Sequence, residues 1–137
     1  MADMAVEQDY TSSADDVWKI IREFGSLDWM PGVESCELEG EGIGSVRKIT
    51  MGGNVVSERL ETLDDDARTI AYSIQEGPIP VQNYLATISV TATDGGCHVD
   101  WTARFDTPDG VPAEAIADGL KGAYGGTLRA LKKQLDG

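Results

Sequence analysis

Hydrophobic and polar positions alternate in short runs between residues 33 and 107, the pattern of strands with one buried face. The predicted strands span residues 33–39, 45–51, 54–63, 69–75, 83–93 and 97–106, and a seventh run at 5–11 predicts an edge strand. Turn residues separate the runs, as at Gly52-Gly53 and Asp94-Gly95-Gly96. Because these connections are short, we expect neighbouring strands to pair antiparallel.

Helical spacing occurs in two segments. Ser13 is the predicted N-cap of a first helix, in which apolar residues recur at positions 17, 20, 21 and 24 before Gly25 ends it. Residues 26–30 predict one further short helical turn, which Pro31 interrupts. After Pro112 a single apolar stripe predicts a long amphipathic helix of about 24 residues. The stripe consists of Ile116, Leu120, Tyr124, Leu128, Leu131 and Leu135.

The sheet and the last helix need each other for burial. A seven-stranded antiparallel sheet with one wet face must cover its other face, and the last helix is the only predicted element large enough to do so. A sheet this wide twists and curls around its cover. We therefore predict an α+β fold, a curved seven-stranded antiparallel sheet around a long C-terminal helix. A length of 137 residues favours a single domain covering residues 1–137.

The two-residue period of a strand assigns a face to each side chain. In the last strand the predicted core face carries Cys97, Val99, Trp101, Ala103 and Phe105. In the two preceding strands it carries Tyr84, Ala86, Ile88 and Val90, and Ile70, Tyr72 and Ile74. His98 falls on the opposite face, so we expect it at the solvent, without a catalytic or metal-binding role.

Two charged residues break this alternation. Glu58 shares a face with Val56 and Leu60, and Arg47 shares one with Ile49 and Met51. An isolated buried charge is very costly, whereas an Arg–carboxylate pair beside trapped water is tolerable. We predict an Arg47–Glu58 pair in the wall of a polar-tipped cavity. The alternative is a pair at the sheet margin, exposed to water.

The last helix contains four glycines, at positions 119, 122, 125 and 126. Each costs up to about 1 kcal/mol of helix stability relative to alanine, so a reason is needed. Close approach of the helix to the sheet, room left for a ligand, and a frayed or kinked helix are the three explanations that the sequence allows.

Composition limits the partners. Lys and Arg number 11 against 24 Asp and Glu, a net charge of −13, which repels nucleic acids and anionic membranes. This acidity fits a solubilising surface or adaptation to high salt. The N-terminus has no signal-peptide pattern and no run suits a membrane span, which predicts a cytoplasmic protein without membrane insertion. Cys36 and Cys97 show no ligand spacing, so we expect two free thiols, with neither a metal nor a cofactor.

Short motifs then occur in a specific order along nearly the whole chain. They are Asp16-Val17-Trp18, Trp29-Met30-Pro31-Gly32-Val33, Gly44-Ser45-Val46-Arg47, Ser57-Glu58-Arg59-Leu60, Tyr72-Ser73-Ile74, Pro80-Val81-Gln82-Asn83-Tyr84 and Trp101. In this order they resemble the START-like (SRPBCC) superfamily, which includes birch pollen allergen, the polyketide cyclase/dehydrase family and the plant abscisic-acid receptors. The resemblance implies a helix-grip fold, with two short helices between the first two strands and a long helix across the concave sheet.

The resemblance also implies the location of a pocket. Together with the assigned faces, it predicts a ligand-binding set of Ile49, Met51, Val56, Leu60, Tyr72, Ile74, Ala86, Ile88, Trp101, Ile116, Leu120 and Tyr124. Where the abscisic-acid receptors carry their hormone-binding lysine, this chain has Glu34, and its gate and latch segments read Met51-Gly52-Gly53 and Ile79-Pro80-Val81. Abscisic acid sensing is therefore not expected. An anionic ligand is disfavoured unless Arg47 is free to meet it, because Glu58, with Glu34 as a further candidate, makes the site acidic.

Three functions fit these observations. The first is binding of a small hydrophobic molecule, aromatic or polyketide-like, in an internal cavity. The second is a metal-independent cyclase, dehydratase or related enzyme, with Glu58, Arg47 and Tyr84 as catalytic residues. The third is an interaction protein without a cognate ligand. We expect a monomer or a weak homodimer, with access to the cavity near Gly52-Gly53 and residues 77–80.

Overall fold

The computed structural model describes residues 2–136, which form a seven-stranded antiparallel sheet and two helices. In chain order the elements are β1 (Ala2–Tyr10), α1 (Ala14–Ile21), β2 (Val33–Glu39), β3 (Val46–Met51), β4 (Asn54–Asp64), β5 (Thr69–Glu76), β6 (Gln82–Thr93), β7 (Gly96–Asp106) and α2 (Ala113–Asp136). The sheet order is β1-β7-β6-β5-β4-β3-β2. The predicted α+β helix-grip fold is confirmed.

The strand order makes β1 and β2 the two edges of the sheet, although only α1 separates them in sequence. β2 to β7 form a meander, and β1 closes its far side by pairing with β7 in one unbroken register. β-bulges interrupt the β4–β5 and β6–β7 ladders, and bulges increase the local bend of a sheet. The inward side chains of β7 are at most 1% exposed, as the alternation predicted.

The segment between β1 and β2 is less helical than predicted. The Ser13 hydroxyl caps α1 by accepting a hydrogen bond from the Asp16 backbone N–H at 3.1 Å. The helix then ends at Ile21, before the predicted end at Gly25. The prediction of a second short helix is wrong. In its place is a turn in which the Met30 N–H donates to the Leu27 carbonyl at 3.0 Å. The following residue is a proline, which disfavours helical geometry in the residue before it.

The C-terminal half of α2 is anchored to the start of the chain. Leu128 and Leu131 are fully buried, and the Tyr10 hydroxyl donates a hydrogen bond to the Leu128 carbonyl at 2.7 Å. The Asp136 carboxylate accepts from the Thr11 backbone N–H at 2.8 Å, which lowers the pKa of that carboxyl. Across residues 2–136 neither helix is long and apolar enough to span a membrane.

The four glycines of α2 do not share one explanation. The helix is continuous from Ala113 to Asp136, without a break at the glycines. A Cβ atom added at Gly119 or Gly122 would meet nothing within 4 Å, so close packing against the sheet does not account for them. Gly126 lines an internal cavity, where the absence of a side chain leaves room.

Candidate functional site

A cavity of about 440 Å³ lies between the concave face of the sheet and α2. Its wall is predominantly apolar, which is typical of sites for small organic molecules. The apolar lining residues are Met30, Pro31, Ile49, Met51, Val56, Ile74, Ile79, Leu120, Ala123 and Gly126. Arg47, Glu58, Tyr72, Tyr124 and Thr127 supply its polar groups.

Arg47 and Glu58 form a buried ion pair in this wall. The two residues are direct cross-strand partners on β3 and β4, so their side chains leave the sheet side by side. Arg47 Nε and Nη2 both contact Glu58 Oε1, at 2.8 and 2.7 Å. Arg47 is 5% exposed and Glu58 is 7% exposed. The buried pair is therefore the correct one of the two alternatives.

The environment of the guanidinium leaves it little freedom. Its Nη1 donates to the Phe24 carbonyl at 3.0 Å, and its Cζ lies 4.0 Å from the centre of the Phe24 ring and 4.9 Å from that of Tyr72. Both rings offer a cation–π contact. Arg47 is therefore held by its neighbours and is not free to meet an anionic ligand.

Two opposing effects act on the pKa of the Glu58 carboxyl. Burial raises its pKa above the ordinary value, while the charge of Arg47 and the hydrogen bond from it oppose the rise. Both Arg47 contacts end on Oε1, so Oε2 has no bond from Arg47, and Glu58 is one of the residues that line the cavity. A carboxyl with a raised pKa and a free oxygen can exchange a proton or accept a hydrogen bond.

Three tyrosine hydroxyls converge beside this carboxyl. The Tyr72 hydroxyl donates to the Tyr124 hydroxyl at 3.3 Å, and the hydroxyls of Tyr84 and Tyr124 are in hydrogen-bond contact. Burial raises the pKa of all three phenols, and the nearby charge of Glu58 adds to the rise. The three phenols stay protonated at neutral pH and act as neutral hydrogen-bonding groups.

The predicted site residues divide into two groups. Those that line the cavity are Arg47, Glu58, Ile49, Met51, Val56, Tyr72, Ile74, Leu120 and Tyr124. Those outside its lining are Leu60, Tyr84, Ala86, Ile88, Trp101 and Ile116. α1 packs against β6 and β7 and fills that end of the concave face, so Ala86 and Ile88 belong to the packed core. Trp101 is covered by the ring of Tyr124, stacked 4.0 Å away.

Six lining residues were absent from the predicted set: Met30, Pro31, Ile79, Ala123, Gly126 and Thr127. Helical spacing could have indicated Ala123 and Thr127, because they stand three and seven positions after Leu120 on one face. The others lie in loops or lack a side chain, so no periodicity marks them.

The loops at the ends of β3 and β5 border the cavity through Met51 and Ile79, where access was predicted. Glu34 is not part of the lining; its Oε1 accepts a hydrogen bond from the Gly52 backbone N–H at 3.1 Å, at the turn between β3 and β4. The prediction that Glu34 adds to the acidity of the site stays a prediction, and within the described residues Glu34 does not line the cavity. Movement of these loops as a lid stays a prediction.

His98 lies on the outer face of the sheet, as predicted, away from the cavity. Its Nδ1 lies 2.5 Å from Asp9 Oδ1, and this hydrogen bond raises the pKa of His98. Within residues 2–136 one group could offer three atoms to a metal ion, namely Glu7, His98 and Asp100. The expectation that the protein uses no metal stays a prediction.

A curved sheet gripping a long helix, with a cavity between them, defines a START-like protein of the helix-grip type. The family model described as polyketide cyclase/dehydrase and lipid transport matches residues 1–136. The chain belongs to this family, and the superfamily resemblance noted in its motifs is confirmed.

Individual relatives agree with this assignment. The chain is similar to abscisic acid receptor PYL2 of Arabidopsis thaliana, with 33% identity over 62% of this chain and 48% of the receptor. It is also similar to pathogenesis-related protein 2 of Petroselinum crispum, with 32% identity over 56% of this chain and 54% of that protein. The match thus spans about half the length of these curated relatives. Protein XoxI of Bacillus cereus matches at a TM-score of 0.90 and 34% identity, over 98% of this chain and 96% of that one.

Proposed function

We propose that this protein binds a small hydrophobic molecule, aromatic or polyketide-like, in the cavity between its sheet and α2. The observation that carries the proposal is the cavity itself, of about 440 Å³, with an apolar wall and a few polar groups at one place. Such concave apolar sites with few polar groups are the usual form of small-molecule sites. Membership of a family described by polyketide chemistry and lipid transport supports the same ligand class.

Adjacent residues on β4 provide a matched pair of variants to test this function. Val56 lines the cavity, whereas Val55 is 52% exposed, and side chains of successive strand residues point to opposite faces. Val56→Trp should fill part of the cavity, and Val55→Trp adds the same ring outside it. The probe is N-phenyl-1-naphthylamine, a neutral dye whose fluorescence increases in an apolar site.

We expect the wild type and Val55→Trp to bind one equivalent of dye, and Val56→Trp to bind at least tenfold more weakly, a loss of about 1.4 kcal/mol or more. Circular dichroism of both variants controls for folding. Absence of dye binding to the wild type, or equal binding by a folded Val56→Trp variant, would overturn the proposal.

A second candidate function is cofactor-independent cyclisation or dehydration of such a molecule. It is favoured by one observation: Glu58 combines a raised pKa with an oxygen left free by Arg47, and Tyr72 and Tyr124 line the same cavity. Glu58 would move a proton while a phenol donates to a carbonyl oxygen of the substrate. Turnover of a polyketone that is lost in Glu58→Gln would support it, whereas equal turnover by that variant would exclude Glu58 as the proton carrier.

A further inference from the structure

The three tyrosine hydroxyls at the cavity contain more hydrogen-bond donors than the bonds among them use. Three phenol O–H groups share two hydrogen bonds, from Tyr72 to Tyr124 and between Tyr84 and Tyr124. Each bond consumes one proton, so one of the three O–H protons has no acceptor within the cluster. When Tyr84 donates to Tyr124, this proton belongs to Tyr124, which lines the cavity and can then donate to a ligand.

The cavity wall also contains a hydrogen-bond acceptor that Arg47 does not use. Arg47 Nε and Nη2 both bind Glu58 Oε1, and its Nη1 binds the Phe24 carbonyl. Glu58 Oε2 remains as an acceptor without a bond from Arg47. Glu58 and Tyr124 line the same cavity, and the charge of Glu58 adds to the rise that burial causes in the pKa of the Tyr124 phenol.

From this pairing of a surplus acceptor with a surplus donor we infer that the ligand carries a neutral hydroxyl head group, which donates to Glu58 Oε2 and accepts from the tyrosine cluster. A hydroxyl is the smallest group that both donates and accepts. The inference rests on the proposed binding function and specifies the ligand class: an apolar body with a phenolic or alcoholic hydroxyl, not a carboxylic acid.

Electrostatics gives an independent reason against a carboxylate. Among residues 2–136, Arg47 carries the one positive charge in the cavity lining, and it is already paired with Glu58 and held by the Phe24 carbonyl. A ligand carboxylate would stand beside the Glu58 charge in an apolar cavity, where an uncompensated second negative charge is costly. An ether or a hydrocarbon would avoid this repulsion but would leave the Oε2 acceptor without a donor.

Three compounds with one ring system separate these possibilities: naphthalene, 2-naphthol and 2-naphthoate. They share the apolar body and differ in the head group, which is absent, a neutral hydroxyl, or a carboxylate at pH 7. Each is measured by displacement of N-phenyl-1-naphthylamine from the wild-type protein. We expect 2-naphthol to bind at least tenfold more tightly than either of the other two, as a hydrogen bond to a charged group implies.

Two variants then identify the groups responsible. Tyr124→Phe and Glu58→Gln should each reduce the ratio of 2-naphthol affinity to naphthalene affinity, measured in the same variant, to below about threefold. Equal binding of 2-naphthol and naphthalene by the wild type, or tight binding of 2-naphthoate, would overturn the inference while leaving the binding function intact. No binding of the dye itself would instead overturn the binding function, and the inference with it. The comparison of the three compounds needs no variant to fold.

Discussion

The buried pair allows a quantitative prediction, because removing one partner differs from removing both. Arg47→Met keeps an apolar stem of similar length but deletes both contacts to Glu58 Oε1, and leaves a carboxylate that is 7% exposed without its counter-ion. Breaking a buried pair in this way costs about 3–5 kcal/mol. That is a large part of the roughly 5–15 kcal/mol by which proteins of this size are stable.

Replacing both partners removes the penalty. In Arg47→Met with Glu58→Met no charge is left buried, so we expect stability within about 1 kcal/mol of the wild type. The single variant should also depend on pH in a defined direction. Burial raises the pKa of Glu58, so the folded state is more stable when this carboxyl is protonated. The loss in free energy of unfolding caused by Arg47→Met should therefore be smaller at pH 5 than at pH 8.

Urea unfolding, followed by tryptophan fluorescence at both pH values and constant ionic strength, measures these free energies of unfolding. Arg47→Gln is a useful control, since it removes the charge but keeps a hydrogen-bond donor near Oε1. A cost below about 1 kcal/mol for Arg47→Met, independent of pH, would show that the pair is hydrated and would refute this description of the cavity wall.

Three further changes are informative. Gly122→Ala should raise the free energy of unfolding by about 0.5–1 kcal/mol, since its Cβ meets nothing within 4 Å, and urea unfolding measures this. Gly96→Ala should severely destabilise the protein in the same assay, because its Cβ would stand 2.0 Å from the Tyr10 carbonyl oxygen; near wild-type stability would contradict that geometry. The hydrogen bond to the Asp9 carboxylate raises the pKa of His98. The stability that this contact gives the folded protein is therefore fully present below the ordinary pKa of 6.5 and is lost as the pH rises through the raised pKa. His98→Gln should therefore destabilise more at pH 5 than at pH 9, and an equal loss at both would refute this.

Much of the fold could be predicted because local patterns determine it. Turn residues and alternation placed β2 at 33–39, as observed, and the other strands of the meander within one residue at each end. The strand order could not be predicted, since the pairing of β1 with β7 joins residues about a hundred positions apart. The early end of α1 was also missed: Phe24 continues the apolar spacing and is buried, but from a turn that follows the helix.

The candidate site could be predicted where a charged residue lies on an otherwise apolar face of a strand. Arg47 and Glu58 stood out because a charge on a core face needs a partner, and the structure pairs them. The sequence could not show which residues of a core face line the cavity and which lie in the packed core. The two-residue period assigns a side chain to a face of the sheet but does not say what covers that part of the face. Ile88 and Ile74 have the same periodicity, yet only Ile74 lines the cavity.

The most direct test of the cavity as a binding site is an NMR measurement of contacts between 2-naphthol and isoleucine methyl groups. Ile49, Ile74 and Ile79 line the cavity, whereas Ile88 is in the packed core and Ile43 is 63% exposed outside it. We predict intermolecular nuclear Overhauser effects from the ring protons to the methyl groups of the three lining residues, and none to the other two. Effects to Ile43, or a saturating titration without effects to any of the lining methyl groups, would contradict binding in this cavity.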